Sequence, residues 1–316
     1  MQDIKKVSAR DVQLDSLCGV LVVYMILGHI QIVSNVAVPE GVALMAMRAL
    51  NFFMAWFYFK SGMFAGLMSF KSCLEKSFHR LIVPYIEFSV IGYAVERIMA
   101  CLRGNYEWGF SLILAPIRQV IYGGAVNGNV PLWFLVSLFA VRLLACLRKY
   151  VGNVCLAIIA LALYFAARSL GIPVVWAYNI PLGLFFYEFG IIFRDLQYNK
   201  TLFILSGLVY VALLIFTTSS IDFRTGQTNG NPILLVLFAT SGIFVWDNIF
   251  KRLKLTFLHK IGEDSMWYYC VHWIFLIVIN TMLDLLGINE PWIKYILLII
   301  FVVPCLAIGR KIARIY

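Results

Sequence analysis

Charge is what this sequence has least of. Only 13% of its 316 residues are Asp, Glu, Lys or Arg, about half the share of an ordinary soluble domain. The chain also lacks any CxxC pair. Its seven cysteines (Cys18, Cys73, Cys101, Cys146, Cys155, Cys270, Cys305) are scattered, mostly inside apolar segments, so neither disulfides nor a zinc site is expected. No internal repeat points to a transporter built from inverted halves. No cleavable signal is expected, because the apolar run after Lys5, Lys6 and Arg10 is too long for a signal h-region. What abounds is apolar surface: 62% of residues are hydrophobic and 16% aromatic, with a mean hydropathy of +0.87. This composition reads as an all-α integral membrane protein, one transmembrane domain over residues 1–316. The net charge of +10 would suit nucleic acid, but the basic residues fall in short clusters between apolar runs. That is the pattern of membrane orientation, so the expected partner is the lipid bilayer and not nucleic acid.

Stretches of about 20 apolar residues can cross the hydrocarbon core. Ten are predicted, at 14–36, 44–69, 80–102, 130–148, 151–170, 178–195, 201–220, 231–250, 265–287 and 291–311. The longest connection, 103–129, has an apolar middle suited to the interface or a re-entrant dip. Lys and Arg alternate across these spans. Lys5, Lys6, Arg10, Lys71, Lys76, Arg80, Arg142, Arg148, Lys149, Arg194, Lys200, Lys251, Arg252, Lys254, Lys260, Arg310, Lys311 and Arg314 fall on one side. The other side holds Arg48, Arg103, Arg118, Arg168, Arg224 and Lys294. By the positive-inside rule both termini are expected in the cytoplasm. Two outer connections, Gly123–Pro131 and Thr217–Pro232, are rich in Gly and Asn. They read as turns in flexible connectors, with presentation of amides and hydroxyls to an outside ligand as the sharper alternative.

Ionisable residues within the spans are few: His29, Lys60, Glu87, Glu96, Arg97, Glu188, Asp247 and His272. Such residues are costly in a bilayer and mark functional sites or buried pairs. His79 and His259 sit among basic residues and read as surface. On the first span Cys18 and His29 are eleven residues apart, roughly 1100° of rotation, so they share a face about 16 Å apart in height. Asp15 lies near the same stripe. His29 and His272 are expected at two levels of one polar passage, about 22 Å and about 12 Å from the cytoplasmic helix starts, with no need to touch. The bland reading of each is a histidine hydrogen-bonded between helices. Lys60 is too deep to reach the interface and is expected to face Glu87, Glu96 or an anionic ligand. Glu96 and Arg97 point two ways on their helix and are not expected to pair with each other. Glu188 and Asp247, near cytoplasmic ends, are expected to be hydrated.

Five segments in order resemble the integral-membrane acyltransferases of acyltransferase family 3. Asp15-Ser-Leu-Cys-Gly through Gly28-His29 resembles their first-helix signature, and Phe57-Tyr-Phe-Lys-Ser61-Gly62-Met-Phe their aromatic run into Ser-Gly. Arg80-Leu-Ile-Val-Pro84-Tyr85 is similar to the start of their third helix, and Leu132-Trp133-Phe-Leu135 to their Trp-Phe-Leu segment. Ile261-Gly262-Glu-Asp-Ser265-Met-Trp-Tyr268-Tyr-Cys-Val-His272 resembles the late Ile-Gly-x-x-Ser…Tyr…His segment. Each motif alone is weak; five in order over nearly the whole chain are specific. The short length is most like the fucose 4-O-acetylase type.

The resemblance implies an O-acyltransferase of the bacterial inner membrane, multi-pass, moving acetyl or a similar acyl group from acyl-CoA to a sugar of an exopolysaccharide or lipid-linked glycan. Acetyl-CoA would be the donor substrate rather than a bound cofactor, and the partners would be acyl-CoA and a carbohydrate acceptor; no oligomeric state is implied. A sugar hydroxyl needs a base, and imidazole suits that task. His29, with Asp15 on its stripe, is the catalytic candidate. Lys60 and Ser61 are candidates to polarise the thioester carbonyl. Trp133, Tyr268 and His272 are candidates to line the acceptor path, Tyr268 and His272 sharing a helix face. Many members carry an arginine eleven residues before the first-helix histidine to hold the acyl donor. Here that position is Cys18, so the donor contact is expected from Arg10, Arg80 or Lys60. Cys18 itself reads as a packing residue rather than an acylated relay, since no cation stands beside it in sequence to activate the thiol. The rival class is a transporter or flippase using buried His and Lys for a proton or substrate path. A third reading is a binding protein that kept the fold and lost catalysis.

Overall fold

In a computed structural model, the described residues are 11–39, 41–66, 68–105, 109–194, 199–217, 220–226 and 228–313. They form a helical bundle. In chain order the helices are α1 Val12–Ser34, α2 Val42–Arg48, α3 Phe53–Met63, α4 Phe70–Ser77, α5 Val83–Leu102, α6 Ser111–Gly123, α7 Trp133–Leu144 and α8 Arg148–Val151. There follow α9 Asn153–Leu170, α10 Trp176–Phe193, α11 Lys200–Phe216, α12 Pro232–Leu253, α13 His259–Glu263, α14 Ser265–Leu285 and α15 Pro291–Ala313. Two two-residue strands, Ser220–Ile221 and Thr228–Asn229, pair antiparallel between α11 and α12.

Helix boundaries follow local chemistry. Asp11 caps α1 by accepting hydrogen bonds from the Gln13 and Leu14 amides, both at 3.0 Å. Asn35 ends the helix in the left-handed region at φ 58°, its amide returning to Gln31 and Ile32. Asn199 and Asn231 cap α11 and α12 in the same way, and Pro232 fills the first turn of α12.

Among the described residues six helices are long and apolar enough to cross a membrane: Val12–Ser34, Asn127–Val151, Asn153–Leu170, Pro232–Leu253, Ser265–Leu285 and Pro291–Ala313. The other expected spans take different forms. The stretch 44–69 is broken between α2 and α3 and stops being helical after Met63, so it is not one continuous span. The third expected span carries Glu87, Glu96 and Arg97, α10 contains Asn179 and Glu188, and α11 is a 17-residue helix. The apolar middle of 103–129 folds as α6. Large apolar side chains face outward, including Val90 at 65% exposure, Ile158 at 64% and Leu208 at 66%. In water such patches would be sticky; on a bilayer-spanning bundle they meet acyl chains.

The bundle interior is aromatic. Trp56, Tyr58, Tyr164 and Phe186 are essentially fully buried. Tyr58 donates to Ser137 Oγ at 2.7 Å, tying α3 to α7. Lipid is as apolar as leucine, so close packing and interhelical hydrogen bonds of this kind hold such a bundle together.

Candidate functional site

The first helix delivers its polar stripe into the bundle. Asp15, Cys18 and Met25 are buried on it, and His29 is half-buried near its C-terminal end. His29 Nδ1 lies 2.9 Å from His272 Nε2. The two ring planes are within 11° of parallel, with centroids 5.0 Å apart. A face-to-face stack would hold ring atoms about 3.5 Å or more apart, so this short contact is an in-plane, edge-to-edge hydrogen bond. The Trp273 ring stands perpendicular to His29, at 5.2 Å and 87°. His272 is fully buried, and its Nδ1 lies 3.0 Å from the Tyr268 carbonyl oxygen and 2.9 Å from that of Tyr269.

The expectation that the two histidines occupy separate levels is therefore corrected. The cause is the short helix α13, which packs along the lower part of α1. A Cβ on Gly262 would stand 1.8 Å from the Asp15 carbonyl oxygen, and one on Gly19 would stand 2.2 Å from that of Leu258. Only glycine permits this approach. From that crossing α14 starts partway up α1 and runs alongside it. Ten residues from Gly262 to His272 and ten from Gly19 to His29 each rise about 15 Å, which brings the rings level.

The foot of α1 holds a second polar feature. Lys60 Nζ lies 3.1 Å from Asp15 Oδ1 and 5.3 Å from the centre of the Trp56 ring. The partner of Lys60 is thus Asp15, and not Glu87 or Glu96. Fourteen residues separate Asp15 from His29, roughly 21 Å along the helix, so neither Asp15 nor the neighbouring Lys60 and Ser61 stand at the imidazole pair. Cys18 is 1% exposed and a free thiol, consistent with packing. Arg80 lies exposed in the π-helical turn Phe78–Ile82 that leads into α5, while Arg10 is outside the described residues. Tyr268 contributes its carbonyl to His272. Trp133 packs edge-on against Phe134, whose ring meets Tyr269 at 5.7 Å.

Three further expectations change. Arg97 folds back onto Glu96 with Nε and Nη2 at 2.7 Å and 2.6 Å; their Cα–Cβ bonds diverge, but the arginine stem is long enough to turn round. Glu188 is fully buried rather than hydrated, its nearest cation being Arg148 at 4.0 Å. Asp247 is paired with Lys251 at 2.8 Å and is mostly shielded. His79 and His259 do lie outside the core.

Two groups beside the histidines had no distinctive signal in the sequence. Trp273 is one aromatic residue among many. The other is Asn129, in a segment that reads as flexible turn and is in fact a buried wedge. The 3-10 stretch Asn127–Leu132 presses on α5 through Gly92 and Gly128, where a Cβ on Gly128 would stand 2.1 Å from the Gly92 carbonyl oxygen. Asn129, fully buried, donates to the Cys270 carbonyl oxygen at 2.8 Å, two residues before His272. Among the described residues no group of three or more His, Cys, Asp and Glu side chains could hold a metal ion.

These features, an imidazole pair inside a bundle of apolar helices, coincide with a match to a family model, described as an acyltransferase domain, over residues 11–310. The chain belongs to acyltransferase family 3. No curated protein and no solved structure matches it. As a member of acyltransferase family 3 it is a multi-pass membrane acyltransferase, and the imidazole pair lies within the matched region.

Proposed function

We propose that the protein is an inner-membrane O-acyltransferase that moves acetyl, or a similar acyl group, from cytoplasmic acyl-CoA to a sugar hydroxyl, with His29 as general base. The acceptor is a cell-surface or lipid-linked glycan, as the likeness to the fucose 4-O-acetylase type implies. The observation that carries this reading is a half-buried imidazole held by a second imidazole inside the bundle, with its other ring nitrogen unpartnered among the described residues. His29 takes the proton of the sugar hydroxyl as that oxygen attacks the thioester carbonyl carbon. The tetrahedral intermediate collapses with cleavage of the C–S bond, and the leaving thiolate recovers the proton from the imidazolium. The products are the sugar ester and CoA.

The ion pair with Asp15 makes Lys60 a structural residue in this scheme rather than the donor contact. The CoA phosphates then fall to the cytoplasmic rim, to Arg80 and Arg10. His272 lies against the base itself. Ten crossings with both termini in the cytoplasm complete the reading, supported by the alternation of basic clusters. The transporter alternative is disfavoured by the family match.

Labelled acetyl-CoA incubated with the purified protein and candidate glycans tests the reaction: CoA release should depend on acceptor. His29→Ala should abolish transfer while membrane insertion is retained. Full activity in that variant, or acceptor-independent transport without CoA release, overturns the reading.

A further inference from the structure

His272 presents both ring nitrogens to defined partners, and those partners determine where the protons sit. Its Nδ1 lies between the carbonyl oxygens of Tyr268 and Tyr269, at 3.0 Å and 2.9 Å. Carbonyl oxygens only accept, so Nδ1 carries the hydrogen. A neutral imidazole has one N–H, which leaves a lone pair on Nε2. That lone pair faces His29 Nδ1 at 2.9 Å in the common plane of the two rings. One of the two nitrogens must donate, and His29 Nδ1 is the one available to do so. His29 Nε2 is then unprotonated. The competing arrangement needs a doubly protonated His272. That ring is fully buried, and among the described residues no carboxylate lies within hydrogen-bond reach of either histidine. An unpaired charge there would be heavily penalised.

We infer that His272 is a positioning residue that fixes His29 in the Nδ1–H tautomer and so turns the Nε2 lone pair toward the acceptor hydroxyl. This rests on His29 being the base. The arrangement performs the orienting task that a carboxylate performs in a Ser-His-Asp triad, with a neutral ring anchored on two helix carbonyls. When His29 takes up a proton, its Nδ1–H bond to His272 becomes charge-assisted and strengthens. A neutral partner does this without leaving a buried anion in the resting site. The Asn129 bond to the Cys270 carbonyl oxygen holds the same turn of α14 in place.

The test reads the tautomer directly. In full-length protein labelled with 15N-histidine, the His29 resonances are identified by their loss in His29→Gln. Expected in the unsubstituted protein are an N–H-type signal for Nδ1 and a lone-pair-type signal for Nε2. An N–H-type signal at His29 Nε2 overturns the inference, whatever the activity. In His272→Phe, which keeps a flat ring and loses the acceptor, the His29 tautomer should change. Its kcat should fall by up to about 10⁴-fold at unchanged KM for acyl-CoA. His272→Gln, whose carbonyl oxygen can accept from Nδ1–H, should recover at least about tenfold of that loss. If His272→Phe keeps the tautomer and full kcat, or if the losses in the two variants track thermal stability instead, His272 is not a positioning residue. Retained activity in His29→Ala is a different failure: it removes the base and leaves the tautomer result standing.

Discussion

Gly28 stands immediately before His29, yet nothing lies within 4 Å of where its Cβ would be. The neighbouring glycines of the site are the opposite case, since Cβ atoms on Gly19 and Gly262 would overlap backbone carbonyls. Gly28→Ala should therefore fold at least as well as the unsubstituted chain, gaining up to about 1 kcal/mol of helix propensity. Gly262→Ala should force α13 off α1 and lower thermal stability sharply. Melting in detergent checks both, and equal behaviour of the two variants would contradict the packing described. The Gly-His pair was legible as a motif. That one glycine is a packing requirement and the other is open space was not, because the difference depends on what lies across from each.

One ion pair ties α1 to α3. Lys60 and Asp15 have side-chain exposures of 19% and 10%, so each is shielded enough to need its partner. Removing Asp15 takes the carboxylate from the shielded Lys60 ammonium, and removing Lys60 takes this cation from Asp15, each a loss of up to about 3 kcal/mol. Lys60→Met and Asp15→Asn should each destabilise, and the double variant should be more stable than the sum predicts. Because the Lys60 ammonium is engaged by Asp15 at 3.1 Å, Lys60→Met should leave the KM for acyl-CoA unchanged in the variant that still folds. A large rise in that KM would return Lys60 to the donor site. The sequence marked Lys60 as needing a carboxylate; which carboxylate depended on the antiparallel crossing of α1 and α3.

The proposed topology gives the protein a definite sidedness. In the proposed topology the alternating basic clusters place Asn289 outside and Lys149 inside, and both residues are exposed. In a background lacking native cysteines, Asn289→Cys should react with a membrane-impermeant maleimide on intact cells. Lys149→Cys should react only after permeabilisation. The reverse pattern would invert the topology and place acyl-CoA binding on the wrong face.

The class of protein, its predominantly helical architecture and the prominence of His29 were all legible in the amino-acid sequence. Those follow from composition, apolar run length and local motif, which are properties of neighbouring residues. What His29 touches emerged with the packing of the helices. The meeting of His29 with His272 depends on two glycines letting α13 lie against α1, which raises the start of α14 until the rings are level. A sequence records the height of a residue within its own helix. It does not record how far one helix is shifted along another, and here that shift converts two isolated histidines into a pair.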